Sequence, residues 1–250
     1  MISLQATTAN LLEEACTHLI KVEARMEPLV AAHHCHLFSP AGLAEKVDPF
    51  ESLASSIINQ QISGVAAKAI KKRFITLFNE CNQMITSMGR LSSGQCFPHP
   101  SQVAMIPIER LRAVGLSQRK AEYIVELAEQ FASGKLSSQM LANTPYEEIL
   151  EKLIVIRGLG RWSIEMFACF GLKRIDIFSL GDLGVQRGMA IFMGRDVSQL
   201  KNKGGKWKYM TAAEMKIVSD KFRPYRSLFM WYMWRVEQTD IASLNVLYNI

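Results

Sequence analysis

The sequence predicts an all-α protein, on three observations. Apolar residues recur at helical spacing along most of the chain, helix starts and stops are punctuated by Ser, Thr, Asp, Pro and Gly, and no alternating strand pattern emerges. No internal repeat is present either.

Taken in order, the spacing predicts a first helix over about 8–32, with Leu11, Leu12, Ala15, Leu19, Ile20 and Val22 on one face. His33, His34 and His36 follow, with Cys35 among them. Packed so closely they do not supply four tetrahedral metal ligands, so a helix-end loop is expected. Asp48-Pro49 starts a helix over about 50–58, and Ser63 N-caps the next, which is expected to run through Phe78. Residues 84–100, rich in Ser, Gly and Pro, read as a surface loop. Pro107 opens a short helix that ends before Gly115, and Ser117 caps a long one over about 118–133. Thr144-Pro145 opens a further helix with Pro145 at its first position. Beyond Gly158-Leu159-Gly160 a helix is expected over 161–170, stopping at Gly171. A connection spans 175–181, and Asp182 caps a helix that runs through Phe192. Lys201, Lys203, Lys206 and Lys208 mark a basic insertion over 196–210, before final helices at 212–222, 225–237 and 240–247.

At 250 residues the chain can bury a large core or form two lobes. Its 49% hydrophobic and 21% charged residues describe a soluble protein. No apolar run approaches the roughly 18 residues of a membrane span, and no basic segment followed by an apolar one marks the N-terminus, so neither membrane insertion nor secretion is expected. The net charge of +6, with a pI of about 9.1, is unevenly placed. Residues 1–100 balance eight basic against eight acidic side chains, whereas residues 157–226 hold fourteen against six. A basic half favours a nucleic-acid partner. Five scattered cysteines (Cys16, Cys35, Cys81, Cys96 and Cys169) form no CxxC pair and read as free thiols in a reducing compartment.

The chemistry centres on Leu153 to Phe167, an apolar helix, a turn with two glycines and a second apolar helix. Gly158 and Gly160 are free to take φ > 0 and lack a Cβ, so another backbone can approach them. The helix from Arg161 turns unpaired N–H groups and its positive dipole end toward the turn, with Arg157 and Arg161 beside it, which makes an anion site. Such a clamp holds phosphate without reading bases. Gly115, Ser117 and Lys120 are expected to form a second phosphate contact, since cations in a first helical turn oppose the dipole.

The two-glycine turn, with Asp182 twenty positions beyond Trp162, resembles the helix-hairpin-helix superfamily of DNA glycosylases. Gly160-Arg161-Trp162-Ser163, the segment Gly171 to Phe178 and Gly181-Asp182-Leu183-Gly184 are similar to the alkylpurine (3-methyladenine) branch, especially its fungal members. The resemblance extends from about Phe50 to Trp234. It implies two helical lobes around a cleft, one of residues 50–174 with the hairpin and one joining 1–49 to 175–250. It implies duplex DNA with damaged bases as partner, a monomer, no cofactor, and a nuclear location if the source is eukaryotic. No iron–sulfur cluster is expected, because no cysteine follows Cys169; a monovalent cation at the hairpin is compatible with the resemblance.

The resemblance also assigns roles. Gln61, with Ile62 and Ser63, would be the minor-groove wedge. Asp182 would be the catalytic carboxylate; its residue type equally suits an N-cap, and the two roles are compatible. Trp162 stands where bifunctional members carry a Schiff-base lysine, so no lyase step is expected. Its indole, with Met166 one turn on and Trp234, would line a pocket for a cationic base. The family pattern is departed from at two places: Arg157 replaces the usual Pro before the hairpin glycine, and Leu180-Gly181 replaces a Pro-acid pair before Asp182. The expected activity is monofunctional excision of alkylated purines. The alternatives are a non-catalytic or weakly active damage-binding protein of the same fold and an oxidised-base glycosylase/lyase.

Overall fold

The structure, a computed structural model, describes residues 10–85, 96–200 and 209–239, and every regular element among them is helical. The chain forms two compact units, Val47–Phe167 and Met1–Lys46 with Ala168–Ile250. These boundaries differ from the expected 49/50 and 174/175. Residues 168–174 belong to the terminal unit because the Arg174 N–H bonds to the Ala168 carbonyl and the Ser227 hydroxyl donates to the Arg174 carbonyl.

The terminal unit begins with α1 (Leu11–Val22) and α2 (Met26–Ala32), which replace the single helix expected over 8–32. Glu23 is extended, and Arg25 turns back to hold both its carboxylate oxygens at 2.9 Å while donating to the Phe192 carbonyl. These charge-assisted bonds offset the hydrogen bonds lost at the break. A 3₁₀ turn at His36–Phe38 leads into α3 (Pro40–Ala44).

The continuous unit opens with α4 (Pro49–Asn59), where Asp48 accepts the Glu51 N–H at 2.7 Å and Pro49 occupies the first turn. Next come α5 (Gly64–Ile85), two turns longer than expected, α6 (Pro100–Met105), α7 (Ile108–Ala113), α8 (Gln118–Ala132), α9 (Ser138–Asn143), α10 (Tyr146–Ile154) and α11 (Arg161–Met166). Helices α6 and α9 were not anticipated, and Pro145 is the N-cap of α10, not its first residue. The core is amphipathic packing: Leu53, Ile57 and Ile58 of α4 and Ile124, Leu127 and Ala128 of α8 are all fully buried.

The chain re-enters the terminal unit through a π-helical turn, Phe167–Gly171, so the expected helix 161–170 changes character after Met166. Helices α12 (Leu183–Phe192), α13 (Val197–Leu200), α14 (Ala212–Asp220) and α15 (Arg226–Met233) follow. A 3₁₀ turn at Val236–Gln238 interrupts the helix expected over 225–237. Phe229 anchors this core, stacked 3.9 Å from Phe222 and edge-on to Phe192. The lysines of the expected insertion (201–208) and the helix over 240–247 lie outside the described residues.

Candidate active site

At the hairpin, Gly158 has φ +87°, and a Cβ on it would lie 2.4 Å from Tyr123 Cδ2, so conformation and space both exclude a side chain. Gly160 behaves differently from the expectation. It is extended (φ −88°, ψ 164°), caps α11, and a Cβ there would meet nothing within 4 Å. The fold itself therefore leaves room for a side chain at Gly160. Arg161 is exposed, 3.6 Å from the buried Glu165 carboxylate one turn on. Arg157 bonds Glu126 at 2.7 Å and lies over the Tyr123 ring, 5.8 Å from its centroid, while remaining largely exposed.

The loop between α4 and α5 carries Gln61, Ile62 and Ser63 at the surface. Ser63 caps α5 through the Ala66 N–H, as its type suggests. Gln61 holds φ +57°, an uncommon conformation for a side-chain-bearing residue. Two groups that the sequence did not assign to this loop hold it. The Gln60 side-chain amide donates to the Gly158 carbonyl at 2.6 Å. Lys120 donates to the carbonyls of Ile58 and Gln60 at 2.8 and 2.6 Å. Lys120 is therefore not the outward phosphate ligand expected of it. The unpaired carbonyls at the end of α4 draw its ammonium inward, and partial burial lowers its pKa. Gly115 (φ +105°) and Ser117, which accepts the Lys120 N–H, keep the expected turn-and-cap geometry.

In the terminal unit Asp182 is the N-cap of α12. Its Oδ1 accepts the Val185 N–H at 2.8 Å and the Trp234 indole N–H at 3.0 Å. Trp234 in turn stacks on Phe170 with 5.7 Å between centroids, and Phe170 is 37% exposed on the π-helical turn. A Cβ on Gly184 would meet Trp234 Cδ1 at 3.0 Å and Asp182 Oδ1 at 3.2 Å, so glycine there admits the indole. Leu183, Gly184, Arg187 and Trp234 border a cavity of about 260 Å³. Asp176, the neighbouring acid, is occupied by Arg223 and Arg226. In the continuous unit Trp162 opens α11 with 49% exposure, unusual for an indole, and Met166 one turn on is half-buried. The structure thus joins Asp182 to Trp234 and the loop between α4 and α5 to the hairpin.

The His/Cys stretch is structural: His33 bonds Thr239, His36 bonds Glu45, and burial pushes the Cys35 thiol up to about 11. Among the described residues no three His, Cys, Asp or Glu side chains are grouped to hold a metal.

Residues 54–203 match the family of HhH-GPD superfamily base-excision DNA repair proteins. The chain belongs to this superfamily. It is 31% identical to the DNA-3-methyladenine glycosylase of Saccharomyces cerevisiae, over 92% of this chain and 81% of that protein. DNA-3-methyladenine glycosylase 1 of Schizosaccharomyces pombe is 30% identical over 80% of this chain and 78% of its own. A solved 3-methyladenine DNA glycosylase from S. pombe, in complex with abasic DNA, superposes with a TM-score of 0.69 at 26% identity, over 91% of this chain and 98% of that one. For an HhH-GPD protein, three features here lay beyond sequence reasoning. Gln60 and Tyr123 gave no signal at all, and Phe170 was visible only as an aromatic eight residues past Trp162.

Proposed function

We propose that this chain is a monofunctional DNA glycosylase that excises alkylated purines, of the 3-methyladenine and 7-methylguanine type, from duplex DNA and leaves an abasic site. The observation that carries the reading is the double anchoring of Asp182 by a helix N–H and an indole N–H. Those donors fix the orientation of the carboxylate.

Alkylation at a ring nitrogen makes the purine cationic. As the C1′–N bond breaks, its electron pair returns to the ring, the base leaves neutral, and positive charge moves to the sugar. Asp182 stabilises that oxocarbenium character, and water adds to C1′, losing a proton. Trp162, with Met166 one turn on, supplies an exposed π face for the extruded cationic base from the continuous unit, and Trp234 is the aromatic residue assigned to that base from the terminal unit. Trp162 cannot form an imine, so no strand cleavage accompanies excision. Gln61, with Ile62 and Ser63, fills the vacated stack. Arg157, Gly158, Gly160 and Arg161 hold one phosphate, with Gly115 and Ser117 at a second. The oxygens of the turn after α10 are neutral main-chain carbonyls at a helix C-terminus, a donor set that fits a monovalent cation; bound there it would add positive charge for phosphate.

Duplex DNA is the partner, the protein acts as a monomer without an organic cofactor or cluster, and in a eukaryotic source it works in the nucleus. The test is chromatographic detection of methylpurines released from alkylated duplex, with strands left intact until alkali treatment. DNA bound but no base released would replace this reading with the damage-binding one, which Gly181, an exposed glycine beside Asp182, favours. Borohydride trapping of an adduct would replace it with a lyase.

A further inference from the structure

We infer that one face of α8 is a brace that sets the wedge loop and the hairpin at a fixed spacing, with Lys120, Tyr123 and Glu126 as its positioning residues. These residues lie three apart, so they share a face and span about 9 Å of helix. Each touches a different part of the DNA-binding apparatus. Lys120 holds the carbonyls of Ile58 and Gln60, ahead of Gln61. Tyr123 packs where the missing Cβ of Gly158 would be, and Glu126 bonds Arg157. The circuit closes through Gln60, which donates from the wedge loop to the Gly158 carbonyl. Gln61 meanwhile holds a left-handed conformation that persists only where its surroundings impose it. Lys120 and Gln60 are the groups that impose it, one turn of chain before the tip. Engaging phosphate at the hairpin and driving Gln61 into the stack are then one rigid event.

This inference rests on the wedge assigned above, so its test begins without DNA. Amide exchange is compared in wild type, Lys120→Met and Gln60→Met, each checked for a cooperative thermal transition. Exchange is expected to accelerate at residues 60–62 and also at Leu159–Trp162, to which Lys120 makes no bond and which Lys120→Met therefore reaches only through the brace. With DNA, 2-aminopurine beside an abasic analogue reports stacking at the wedge. Single-turnover methylpurine release is expected to slow by about 100-fold, the scale of a 1 Å misplacement. Affinity for undamaged duplex, set by phosphate contacts, should hold. A purely structural role would lower the melting temperature and leave the 2-aminopurine signal of folded protein unchanged. Hairpin exchange unmoved in an active enzyme would overturn the brace and leave the glycosylase reading intact. Coupled exchange in a wild type that releases no base would keep the brace and remove the glycosylase.

Discussion

Replacing Asp182 by Asn and by Ala separates what this carboxylate does for the fold from what it does for the reaction. Asn keeps an oxygen that can accept the Val185 N–H at 2.8 Å and the Trp234 N–H at 3.0 Å. Asn and Asp are near-equal caps, so only a charge–dipole contribution of about 0.3–1 kcal/mol is lost. Ala forfeits the cap, at about 1 kcal/mol, and strands a half-buried indole N–H at about 1 kcal/mol more. The sum of about 2 kcal/mol corresponds to a melting-temperature fall of roughly 4–8 °C for a chain this size. Chemistry should rank them differently. Fixed electrostatic stabilisation of a transition state is worth about 3–4 kcal/mol, so both variants should release methylpurine roughly 100- to 1,000-fold more slowly. Single-turnover release of 7-methylguanine at saturating enzyme, read beside thermal unfolding, checks both. A near-native, inactive Asn variant supports the dual role. An Asn variant with wild-type turnover would refute the assignment of Asp182.

Three further outcomes are expected. Trp234→Phe keeps an aromatic ring against Phe170 but removes the donor to Asp182, so release should slow about tenfold, the equivalent of one charge-assisted hydrogen bond; turnover equal to wild type would limit Trp234 to a stacking role. Gly158→Ala meets both φ +87° and Tyr123 at 2.4 Å, and should cost about 2–4 kcal/mol by denaturant midpoint. Tyr123→Ala in the same chain should recover the steric share and not the backbone share, so full additivity would contradict the contact. Glu214, held by Arg195 and by Thr211, has its pKa lowered from 4.5 to about 2. Its folded value is depressed, so its contribution is present above pH 4.5 and is lost as pH falls through about 2. The pair is exposed, so Glu214→Gln should lower stability by under about 1 kcal/mol at pH 7 and converge with wild type near pH 2; a gap that persists in acid would exclude the ion pair as its source.

Much of this molecule is written in short-range patterns. Asp48, Ser63, Ser117 and Asp182 cap helices as their types and positions announce, because a capping side chain meets an N–H two or three residues on. The hairpin was legible for the same reason: a glycine turn between apolar helical runs constrains its own backbone. What chain order cannot encode is which distant group meets a given side chain. Lys120 reads as a phosphate ligand on α8 until the end of α4, sixty residues earlier, presents it with two carbonyls. Trp234 reads only as a pocket aromatic, and folding adds the N–H it gives to Asp182. At the break after Val22, Arg25 reaches a carbonyl at Phe192, and Gly160 is extended with open space around it, not in a positive φ. Local periodicity and capping chemistry thus determined most of the helices and the capping role of Asp182, and the resemblance singled it out as the candidate carboxylate. Only tertiary packing decided which charges stay outward and which are spent holding loops, because a buried carbonyl attracts whatever donor the fold brings within 3 Å.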